Sequence, residues 1–515
     1  MSSSSQPSHP LLSYVNQLPL GYASPSISIL SPTSPGESSV LKRGIFAVND
    51  IKKGERILTV PINATIGPHF IKGNDKVEGE GGMSDWLKTA ISLMLVMAEF
   101  KSGKGKKWGV GMEAYLESLP LEYSTIMDWT DAEIAELKGT DLHSAVEEDR
   151  ANGNFEKGWK TNVEPILEGL LKDAVITEEE RKLLTFELFT TASKAVVTRG
   201  FNYSDPSASP NSPGSASTTG PFMIPLVDML NHSSSPNLQT TVLQRDASSG
   251  CFYMDATRDM RAGSEVLHAY VNAGSNDELL RTYGFVDEQP EICTPKRVGK
   301  EDILKACKRA AQEAPEILKL GGEGEGEGAE YEDDEAETWD AEKGWEDKAK
   351  YLLSTSLIPQ EVTVRMENPL SDELVTACVI MMLSLEGFKD LFENDESPAL
   401  LDASVVMEEQ YLGCLVSLAL LKLSEDLNLT YPTNIKEDEE LLSSPNSPQR
   451  LRCAVTVRLE EKRTLLILKK AALKALHYEE EKGEKGGDND DRKGEEEQGS
   501  AGAEEENKTK RIKLF

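Results

Sequence analysis

An asparagine and a histidine stand side by side at positions 231 and 232, directly after the apolar run 226–230. A carboxamide and an imidazole at the end of a buried element can open a turn, form a glycosylation acceptor with Ser233, or supply half of a metal site. No second histidine or cysteine lies at ligand spacing, which argues against a metal. The amino-terminal residues carry no basic segment before their short apolar stretch, so we expect neither a secretory signal nor glycosylation.

Three other short stretches combine glycine, arginine and tyrosine: KRGIFA at 42–47, TRGF at 198–201 and HAYVNAGSNDELLRTYGFV at 268–286. Glycine lets a backbone approach a ligand closely, and arginine pairs with carboxylates. Tyrosine offers an apolar ring with a polar hydroxyl. Each motif alone is equally typical of ordinary packing, strand entries and loops, so the chemistry depends on whether the fold brings them together.

The chain is strongly acidic, and its charge is unevenly distributed. Of a net charge of −33, residues 323–340 contribute ten acids and no base, and residues 479–506 contribute thirteen acids and four bases. Such a chain repels nucleic acid backbones and attracts basic partners, while the acidic runs themselves favour solvated disorder. Its six cysteines form no CxxC pair, so we expect neither structural zinc nor a disulfide framework. No apolar segment is long enough to span a bilayer.

Around the motifs, the sequence alternates between strand-like and helix-like patterns. Residues 41–61 predict two β segments around a polar turn that ends at Gly54, and short β-like runs return in TTVLQR, CFYMDA and EVLHAY. Apolar residues recur at helical spacing over 86–100, from residue 131, and over 178–197. A Ser/Pro/Gly-rich loop is predicted at 204–220.

Two distant segments resemble each other. The first repeat segment, AVNDIKKGERIL at 47–58, and the second repeat segment, ATRDMRAGSEVL at 256–267, match in six positions. Each predicts a hairpin, in which a strand, a tight glycine turn and a second strand follow one another.

After about residue 298 the pattern is helical. EDILKACKRAAQEA, DELVTACVIMMLSLEGF and MEEQYLGCLVSLALLKL predict helices, the second with Ser371 as its N-cap. A further helix is predicted over 451–477, with one apolar stripe made of Leu451, Val455, Leu459 and Leu466.

In this order and at this spacing, the four motifs resemble those of the SET-domain lysine methyltransferases. The resemblance is greatest to the branch typified by the Rubisco large-subunit methyltransferase and its nuclear and ribosomal-protein-modifying relatives. It extends over about 10–475 and includes WGVGMEAYLESLP at 108–120. It implies an α+β fold, in which a split, β-rich SET domain with a helical insertion precedes an all-α substrate-binding domain.

The resemblance also implies the boundaries of the domains. We expect a disordered segment at 1–9 and a SET domain at 10–298, with its helical insertion at about 80–198. A helical substrate-binding domain follows at 299–477, with an acidic loop at 321–347. An acidic, disordered tail at 478–515 ends in the basic cluster KTKRIK at 508–513.

By the same resemblance, the cofactor is S-adenosyl-L-methionine, and no metal takes part. The asparagine of the Asn231-His232 pair then holds the methionyl end of the cofactor, and the histidine backbone meets the adenine. Arg43 is expected to pair with the methionine carboxylate. The residues expected to bind the cofactor are Lys42, Arg43, Gly44, Arg199, Asn231, His232 and Tyr283.

The substrate in this family is a lysine side chain, whose ordinary pKa is about 10.4, so it must be presented to the cofactor as a neutral amine. A narrow, aromatic and poorly hydrated channel favours loss of the proton. The resemblance makes Tyr283 the catalytic tyrosine, with Tyr270 beside it in the channel. The residues expected to bind the substrate are Arg199, Phe201, Asp228 and Tyr270.

Two features depart from the wider family. The chain lacks the zinc-bound segment that many SET enzymes place after the domain, so the helical domain is expected to complete the channel. The stretch VDEQPEICTPKRVGK, which follows the YGF motif, contains no aromatic residue.

The sequence therefore predicts a methyltransferase that acts on a lysine of a basic protein, with a ribosomal protein as the expected class. Methylation of protein histidine, and a non-catalytic module that binds basic proteins, are the alternatives. We expect a monomer that binds neither nucleic acid nor membrane. The basic cluster suggests a nuclear location, with the cytoplasm as the alternative.

Overall fold

The structure is a computed structural model of the chain. It describes residues 9–30, 43–70, 84–103, 111–120, 122–151, 154–204, 218–270, 274–288, 290, 292–320, 344–395 and 397–484. The predictions made for 1–8, for the loop at 205–217, for most of the acidic loop and for the tail beyond Glu484 lie outside these residues. The disordered tail was predicted to begin at residue 478, but residues 478–484 still belong to the last helix, so that boundary was wrong. Every helix within them is too short or too polar to span a bilayer.

Helices make up most of the described chain. In chain order they are α1 (Pro10–Gln17), α2 (Asp85–Ser102), α3 (Glu113–Ser118), α4 (Asp131–Ala135), α5 (Asp141–Ala151), α6 (Asn154–Gly158), α7 (Glu164–Lys172), α8 (Glu178–Leu183), α9 (Phe186–Arg199), α10 (Asn276–Tyr283), α11 (Lys300–Leu320), α12 (Trp345–Ser354), α13 (Asp372–Met382), α14 (Leu385–Phe388), α15 (Ala403–Glu408), α16 (Gln410–Asn428), α17 (Ile435–Ser443) and α18 (Gln449–Glu484). Short 3-10 turns lie at Ile62–Ala64, Pro68–Phe70, Ile126–Asp128 and Val227–Met229, and single π turns at Trp159–Val163 and Lys389–Glu393.

The strands are short. They are β1 (Tyr22–Ala23), β2 (Ile27–Leu30), β3 (Gly44–Ala47), β4 (Arg56–Pro61), β5 (Gly200–Ser204), β6 (Thr218–Met223), β7 (Asn231–His232), β8 (Thr241–Asp246), β9 (Cys251–Ala256), β10 (Leu267–His268), β11 (Lys296–Gly299) and β12 (Glu361–Val364). The run EVLHAY forms only the two-residue β10. The loop at 204–220 is shorter than predicted, because its last residues already belong to β6.

The chain divides into two compact units. The first contains residues 1–130 and 144–292, and the second contains 131–143 and 293–515. In the first unit, β1, β4, β9 and β8 form an antiparallel four-stranded sheet in that order. Four two-stranded pairings complete the described strands of the chain, namely β2 with β3, β5 with β6, β7 with β10 and β11 with β12.

The two repeat segments pair with each other instead of forming separate hairpins, so the hairpin prediction was wrong. The Gly54 N–H donates to the Ala256 carbonyl at 2.7 Å, and the Gly263 N–H donates to the Ala47 carbonyl at 2.7 Å. Gly54 and Gly263 both have positive φ, 87° and 88°, which glycine adopts without strain. The glycine turns were therefore located correctly, but the partner of each segment lies some two hundred residues away.

The side chains follow the same reciprocal arrangement. The Lys53 N–H donates to Asp259 Oδ1 at 2.9 Å, and the Ala262 N–H donates to Asp50 Oδ1 at 2.9 Å. Each aspartate stands at the same place in its own segment. The shared aspartate thus holds the turn of the opposite segment. The paired segments also place β3 and the residues before β10 beside each other, since the Val266 N–H donates to the Ile45 carbonyl at 2.8 Å.

A helical layer packs against the strands of the first unit. α2 and α9 contribute buried residues to one apolar core together with β4 and β9, as the helical insertion requires. The predicted helix over 178–197 is divided into α8 and α9, because Thr185 accepts a hydrogen bond from the Leu188 N–H and so caps a new helix. α9 ends at Arg199, one of the predicted site residues.

In the part of the second unit that the structure describes, helices are the regular elements apart from the ribbon formed by β11 and β12. α11, α13 and α16 supply most of its apolar core. Ser371 caps α13 as predicted, since its side chain accepts from the Leu374 N–H at 3.3 Å. Residues 345–347, predicted as the end of the acidic loop, form the first turn of α12.

α18 buries charge on the face where the sequence predicts an apolar stripe. Val455 and Leu459 are buried, but Leu466 is 37% exposed. Arg458 is fully buried and donates to Asp438 Oδ1 at 2.7 Å, with its Nη2 atom. The apolar stripe is therefore shorter than predicted, because ion pairs occupy part of the buried face.

Candidate active site

The first unit contains a cavity of about 600 Å³, a volume typical of ligand sites. Six of the predicted site residues line it, namely Arg199, Phe201, Asp228, Asn231, Tyr270 and Tyr283. Arg43, Gly44 and His232 contact or electrostatically influence these residues, as set out below. Lys42 lies outside the described residues.

Backbone and side chains from three separate segments meet at Asn231. Its Nδ2 atom donates to the Arg43 carbonyl at 3.1 Å and to Glu265 Oε1 at 2.6 Å. Gly44 lies directly beside this contact. A Cβ atom at Gly44 would stand 2.8 Å from Asn231 Nδ2 and 2.6 Å from Glu265 Oε1. Any residue larger than glycine would therefore displace the asparagine, which explains the glycine in KRGIFA.

Neighbouring atoms fix the orientation of His232. Its Nδ1 atom accepts the Tyr270 N–H at 3.0 Å, so this nitrogen carries no proton. Its Nε2 atom lies 3.0 Å from the Ser234 hydroxyl, to which it donates in the neutral tautomer. Burial lowers the pKa of His232, which favours the neutral ring. His232 thus links β7, the strand that also carries Asn231, to the backbone of Tyr270.

Three aromatic rings form a wall of the cavity. The ring centroids of Tyr270 and Tyr283 lie 5.0 Å apart, and Phe285 lies 6.2 Å from Tyr270 and 6.1 Å from Tyr283. The Tyr270 hydroxyl donates to the Leu230 carbonyl at 2.7 Å, which fixes its ring. The Tyr283 hydroxyl lies 3.5 Å from the Tyr270 carbonyl, at the limit of a hydrogen bond.

The end of α10 holds Tyr283 in place. The residue after it, Gly284, caps the helix with φ 79°. A Cβ atom there would also collide with the Ser124 carbonyl. Both the left-handed backbone and the close approach require glycine, which accounts for the YGF spacing. Burial raises the pKa of Tyr283 to about 12, so its hydroxyl stays protonated at neutral pH.

Arg199 and Asp228 form a buried polar cluster at the cavity. Arg199 Nη1 donates to the Asp228 carbonyl at 2.6 Å and lies 3.7 Å from its Oδ2 atom. The Tyr115 hydroxyl donates to the same Oδ2 at 3.3 Å. The Oδ1 atom of Asp228 is buried and has no hydrogen-bond partner among the described residues. Burial raises the pKa of Asp228, and the nearby Arg199 and Arg43 oppose that rise.

The segment before Asp228 has strained backbone. Leu226 is fully buried and has φ 74°, which is rare for a residue with a side chain. It precedes the 3-10 turn Val227–Met229, after which Asn231 begins β7. Strained residues of this kind concentrate at functional sites, where the surrounding packing holds them in place. The abrupt end of the apolar run seen in the sequence corresponds to this turn.

The sequence did not single out four residues of the site: Tyr115, Tyr123, Glu265 and His268. Tyr115 lies in the WGVGMEAYLESLP stretch, which was noted only as a family likeness. Glu265 lies in the second repeat segment, so its pairing with Asn231 depends on a strand arrangement that the hairpin prediction missed. Tyr123 carries no local signal, and His268 is the first residue of the HAYVN motif, in which the histidine was assigned no role.

His268 should make the stability of the first unit depend on pH. Its side chain is almost completely buried, its Nδ1 atom donates to the Thr241 carbonyl at 3.4 Å, and burial lowers its pKa to about 4. A depressed folded-state pKa means that the stabilisation is complete above about pH 6.5 and is lost as the pH falls towards 4. We expect this residue to contribute a loss on the order of 3 kcal/mol in the free energy of unfolding over that window.

A comparison of the wild type with His268→Gln in denaturant at each pH measures this contribution. The difference in free energy of unfolding between the two proteins should shrink as the pH falls from 6.5 to 4. Curves that stay parallel over this window would show that His268 does not titrate as described.

Two family models match the chain. The model described as SET domain matches residues 42–271, and the model described as Rubisco LSMT substrate-binding matches residues 341–465. The chain therefore carries a SET domain followed by a Rubisco LSMT substrate-binding domain. The resemblance and the α+β class inferred from the sequence are confirmed. Within the described residues, no group of three or more histidine, cysteine or acidic side chains is arranged to hold a metal ion.

Among its relatives, the chain is 25% identical over 460 residues to "N-lysine methyltransferase SETD6" of Mus musculus, an alignment that covers 85% of this chain and 86% of the relative. It is 22% identical over 442 residues to the "Ribulose-1,5 bisphosphate carboxylase/oxygenase large subunit N-methyltransferase, chloroplastic" of Nicotiana tabacum, covering 82% of this chain and 74% of the relative. 

A solved structure of "Rubisco LSMT bound to AdoMet" has the same fold, with a TM-score of 0.54 and 18% identity, covering 90% of this chain and 92% of that one. The SET domain of LSMT "bound to Lysine and AdoHcy" has a TM-score of 0.52 and 16% identity, covering 90% of this chain and 94% of that one.

Proposed function

We propose that the protein transfers a methyl group from S-adenosyl-L-methionine to a lysine side chain of a protein substrate. One observation supports this proposal above the others. The tyrosine pair Tyr270 and Tyr283 lines the same cavity as Asn231, whose side chain bridges to the Arg43-Gly44 backbone. The relatives named as N-lysine methyltransferases, and the LSMT structures bound to AdoMet or to lysine and AdoHcy, support the same chemistry.

The residues present fit the proposed cofactor. S-adenosylmethionine carries an amino-acid head group with a carboxylate and an ammonium group. Arg43 and Arg199 offer two cations to a carboxylate, and the unpartnered Oδ1 atom of Asp228 gives the cavity an unused acceptor. Burial and the neighbouring Arg199 lower the pKa of Arg43, so an anion between the two guanidinium groups would relieve their repulsion.

When bound, S-adenosylmethionine supplies an activated methyl group that a neutral amine attacks in line. The chain itself supplies alignment and a poorly hydrated channel. Tyr270, Tyr283 and Phe285 enclose the amine with ring surfaces, which favours its neutral form over the ammonium ion. The Tyr283 hydroxyl, protonated at neutral pH, is placed to orient the reacting groups.

Asn231→Ala should weaken cofactor binding. The change removes the donor to the Arg43 carbonyl and to Glu265, so the backbone that borders the site loses its anchor and a half-buried carboxylate loses its partner. We expect the dissociation constant for S-adenosylmethionine, measured by calorimetry, to rise about 10- to 100-fold. A variant that keeps the wild-type melting temperature and the wild-type affinity would remove Asn231 from the site.

The finer features of the substrate are also part of the proposal. The net charge of −33 favours a basic protein, of which a ribosomal protein is one class. If charge attracts the substrate, the apparent Michaelis constant should rise with salt, because ions screen exposed charges beyond roughly 10 Å at 0.1 M. Initial rates at low and high salt measure this effect, and a constant that does not change with salt would contradict it.

We further propose that the protein acts as a monomer in the nucleus. The basic cluster at 508–513, outside the described residues, supports the location. A fluorescent fusion should be nuclear, and replacement of the lysines and arginine in this cluster by glutamine should release it to the cytoplasm. Sedimentation at micromolar concentration should give a single species of 56.6 kDa.

A further inference from the structure

Tyr123 carries a buried hydroxyl that the site described so far does not use. The residue lines the cavity, and its Oη atom is buried without a hydrogen-bond partner among the described residues. A buried hydroxyl that lacks a partner costs roughly 1–3 kcal/mol, so such groups in folded proteins usually meet a ligand or a water molecule. Burial raises the pKa of Tyr123, so the hydroxyl keeps its proton and can donate it.

Two cations act on this hydroxyl. Arg199 and Arg43 both influence Tyr123 electrostatically, as does Asp228, and the exposed Glu122 lines the same cavity. Asp228 is already engaged by Arg199 and by the Tyr115 hydroxyl through Oδ2. A ligand group that meets the Tyr123 hydroxyl therefore lies in a field set by two guanidinium groups, and this field favours an anion.

The segment that carries Tyr123 is firmly held. Asp128 Oδ2 accepts from the Thr125 N–H at 3.0 Å and from the Thr125 hydroxyl at 3.1 Å, and Asp128 also forms an ion pair with Lys194 of α9. The Ser124 carbonyl packs against Gly284, next to Tyr283. Tyr123 is thus fixed to the helix that ends at Arg199 and to the helix end that carries the catalytic tyrosine.

We propose that the Tyr123 hydroxyl donates a hydrogen bond to the carboxylate of the methionyl head group of S-adenosylmethionine, beside Arg43 and Arg199. This inference rests on the proposed function, because it assumes that S-adenosylmethionine occupies the cavity. It makes Tyr123 a residue that selects cofactors with an intact amino-acid head group. The Tyr123 hydroxyl therefore contributes to cofactor binding and has no part in the lysine channel.

The test compares two cofactors in two proteins. Calorimetry gives the dissociation constants of S-adenosylmethionine and of its decarboxylated analogue for the full-length wild type and for Tyr123→Phe. We expect the variant to bind S-adenosylmethionine about 10- to 100-fold more weakly, as expected when a hydrogen bond to a charged group is lost. For the decarboxylated analogue, the two proteins should agree within about twofold, because the analogue has nothing for the hydroxyl to bind.

Tyr253→Phe is the matched control, because it removes a tyrosine hydroxyl from β9 in the same unit but outside the cavity lining. An equal loss for both cofactors would mean a structural role for Tyr123 and would overturn the proposal. Unchanged cofactor affinity with a raised Michaelis constant for the protein substrate would assign the hydroxyl to the lysine channel and would also overturn it. 

The wild type alone gives a second test that does not depend on the folding of a variant. It should bind the decarboxylated analogue at least about 10-fold more weakly than S-adenosylmethionine, and equal affinities would contradict the proposal. A wild type that binds neither cofactor would instead overturn the proposed function, so the two failures are distinguishable.

Discussion

Replacing Tyr283 by phenylalanine should lower the turnover number for methyl transfer at least about 100-fold, while the affinity for S-adenosylmethionine stays within a few-fold of the wild type. Phenylalanine keeps the ring contacts to Tyr270 and Phe285, at 5.0 and 6.1 Å, so the aromatic wall is preserved. The variant loses only the hydroxyl, and single groups that act on the reacting atoms typically contribute factors of about 10²–10³ to the rate. Because the interaction is made in the transition state, turnover should fall with little change in binding.

Single-turnover rates at saturating cofactor, together with calorimetric affinities, measure the two effects separately. Tyr253→Phe again serves as the control for loss of a tyrosine hydroxyl and should leave both quantities unchanged. Near-normal turnover in Tyr283→Phe would show that another residue fills the catalytic role.

Asp438→Asn should destabilise the second unit by about 3–5 kcal/mol, the usual cost of breaking a buried ion pair. The Asp438 side chain is fully buried, and it accepts from Arg458 at 2.7 Å and from Lys462 at 2.6 Å. The side chains of Arg458 and Lys462 are themselves 0% and 2% exposed. Without the carboxylate, two buried cations lie side by side, and among the described acids the half-exposed Glu136 is the one that still pairs with Arg458.

Glu439→Gln is the matched control, since it alters the next residue of α17. Glu439 pairs with Arg463 at 2.8 Å, but both side chains are about half exposed, so the loss should stay below about 1 kcal/mol. Native-state hydrogen exchange at amides of α18 reports the stability of the second unit without assuming that the whole chain unfolds in one step. Equal exchange rates in the two variants would show that the buried cluster does not stabilise this unit.

The predictions that succeeded depend on local chemistry. The helical spacing over 86–100, the Ser371 cap and the glycine turns at Gly54 and Gly263 are properties of a few neighbouring residues, and the structure contains all of them. The glycines at 44 and 284 follow the same logic, because each stands where a neighbour comes too close for a side chain.

The predictions that failed depend on distant partners. The two repeat segments have the pattern of hairpins, but each finds its hydrogen-bond partners in the other. A single segment does not show whether it pairs with itself as a hairpin or with the other segment. The alternation of buried and exposed residues is the same in the two arrangements. On α18, the predicted helical period was right, but the buried face contains charged residues where apolar ones were predicted. Burial of Arg458 depends on Asp438, which lies in another helix.

The candidate site divides in the same way. Arg199, Asp228, Asn231, Tyr270 and Tyr283 lie around one cavity, as the resemblance implied. Tyr123 and Glu265, by contrast, become visible only once loops and strands far apart in sequence are placed beside each other. The roles assigned to all of these residues stay predictions until the variants are measured.

The central claim is that the cavity transfers methyl groups to lysine in a protein. The most direct measurement uses S-adenosylmethionine with an isotopically labelled methyl group, protein extract from source cells that lack this enzyme, and mass spectrometry of the modified residues. We predict labelled methyl groups on lysine side-chain nitrogen with the wild type and none with Tyr283→Phe. Label confined to histidine, or no labelled protein although the wild type binds the cofactor, would contradict the claim.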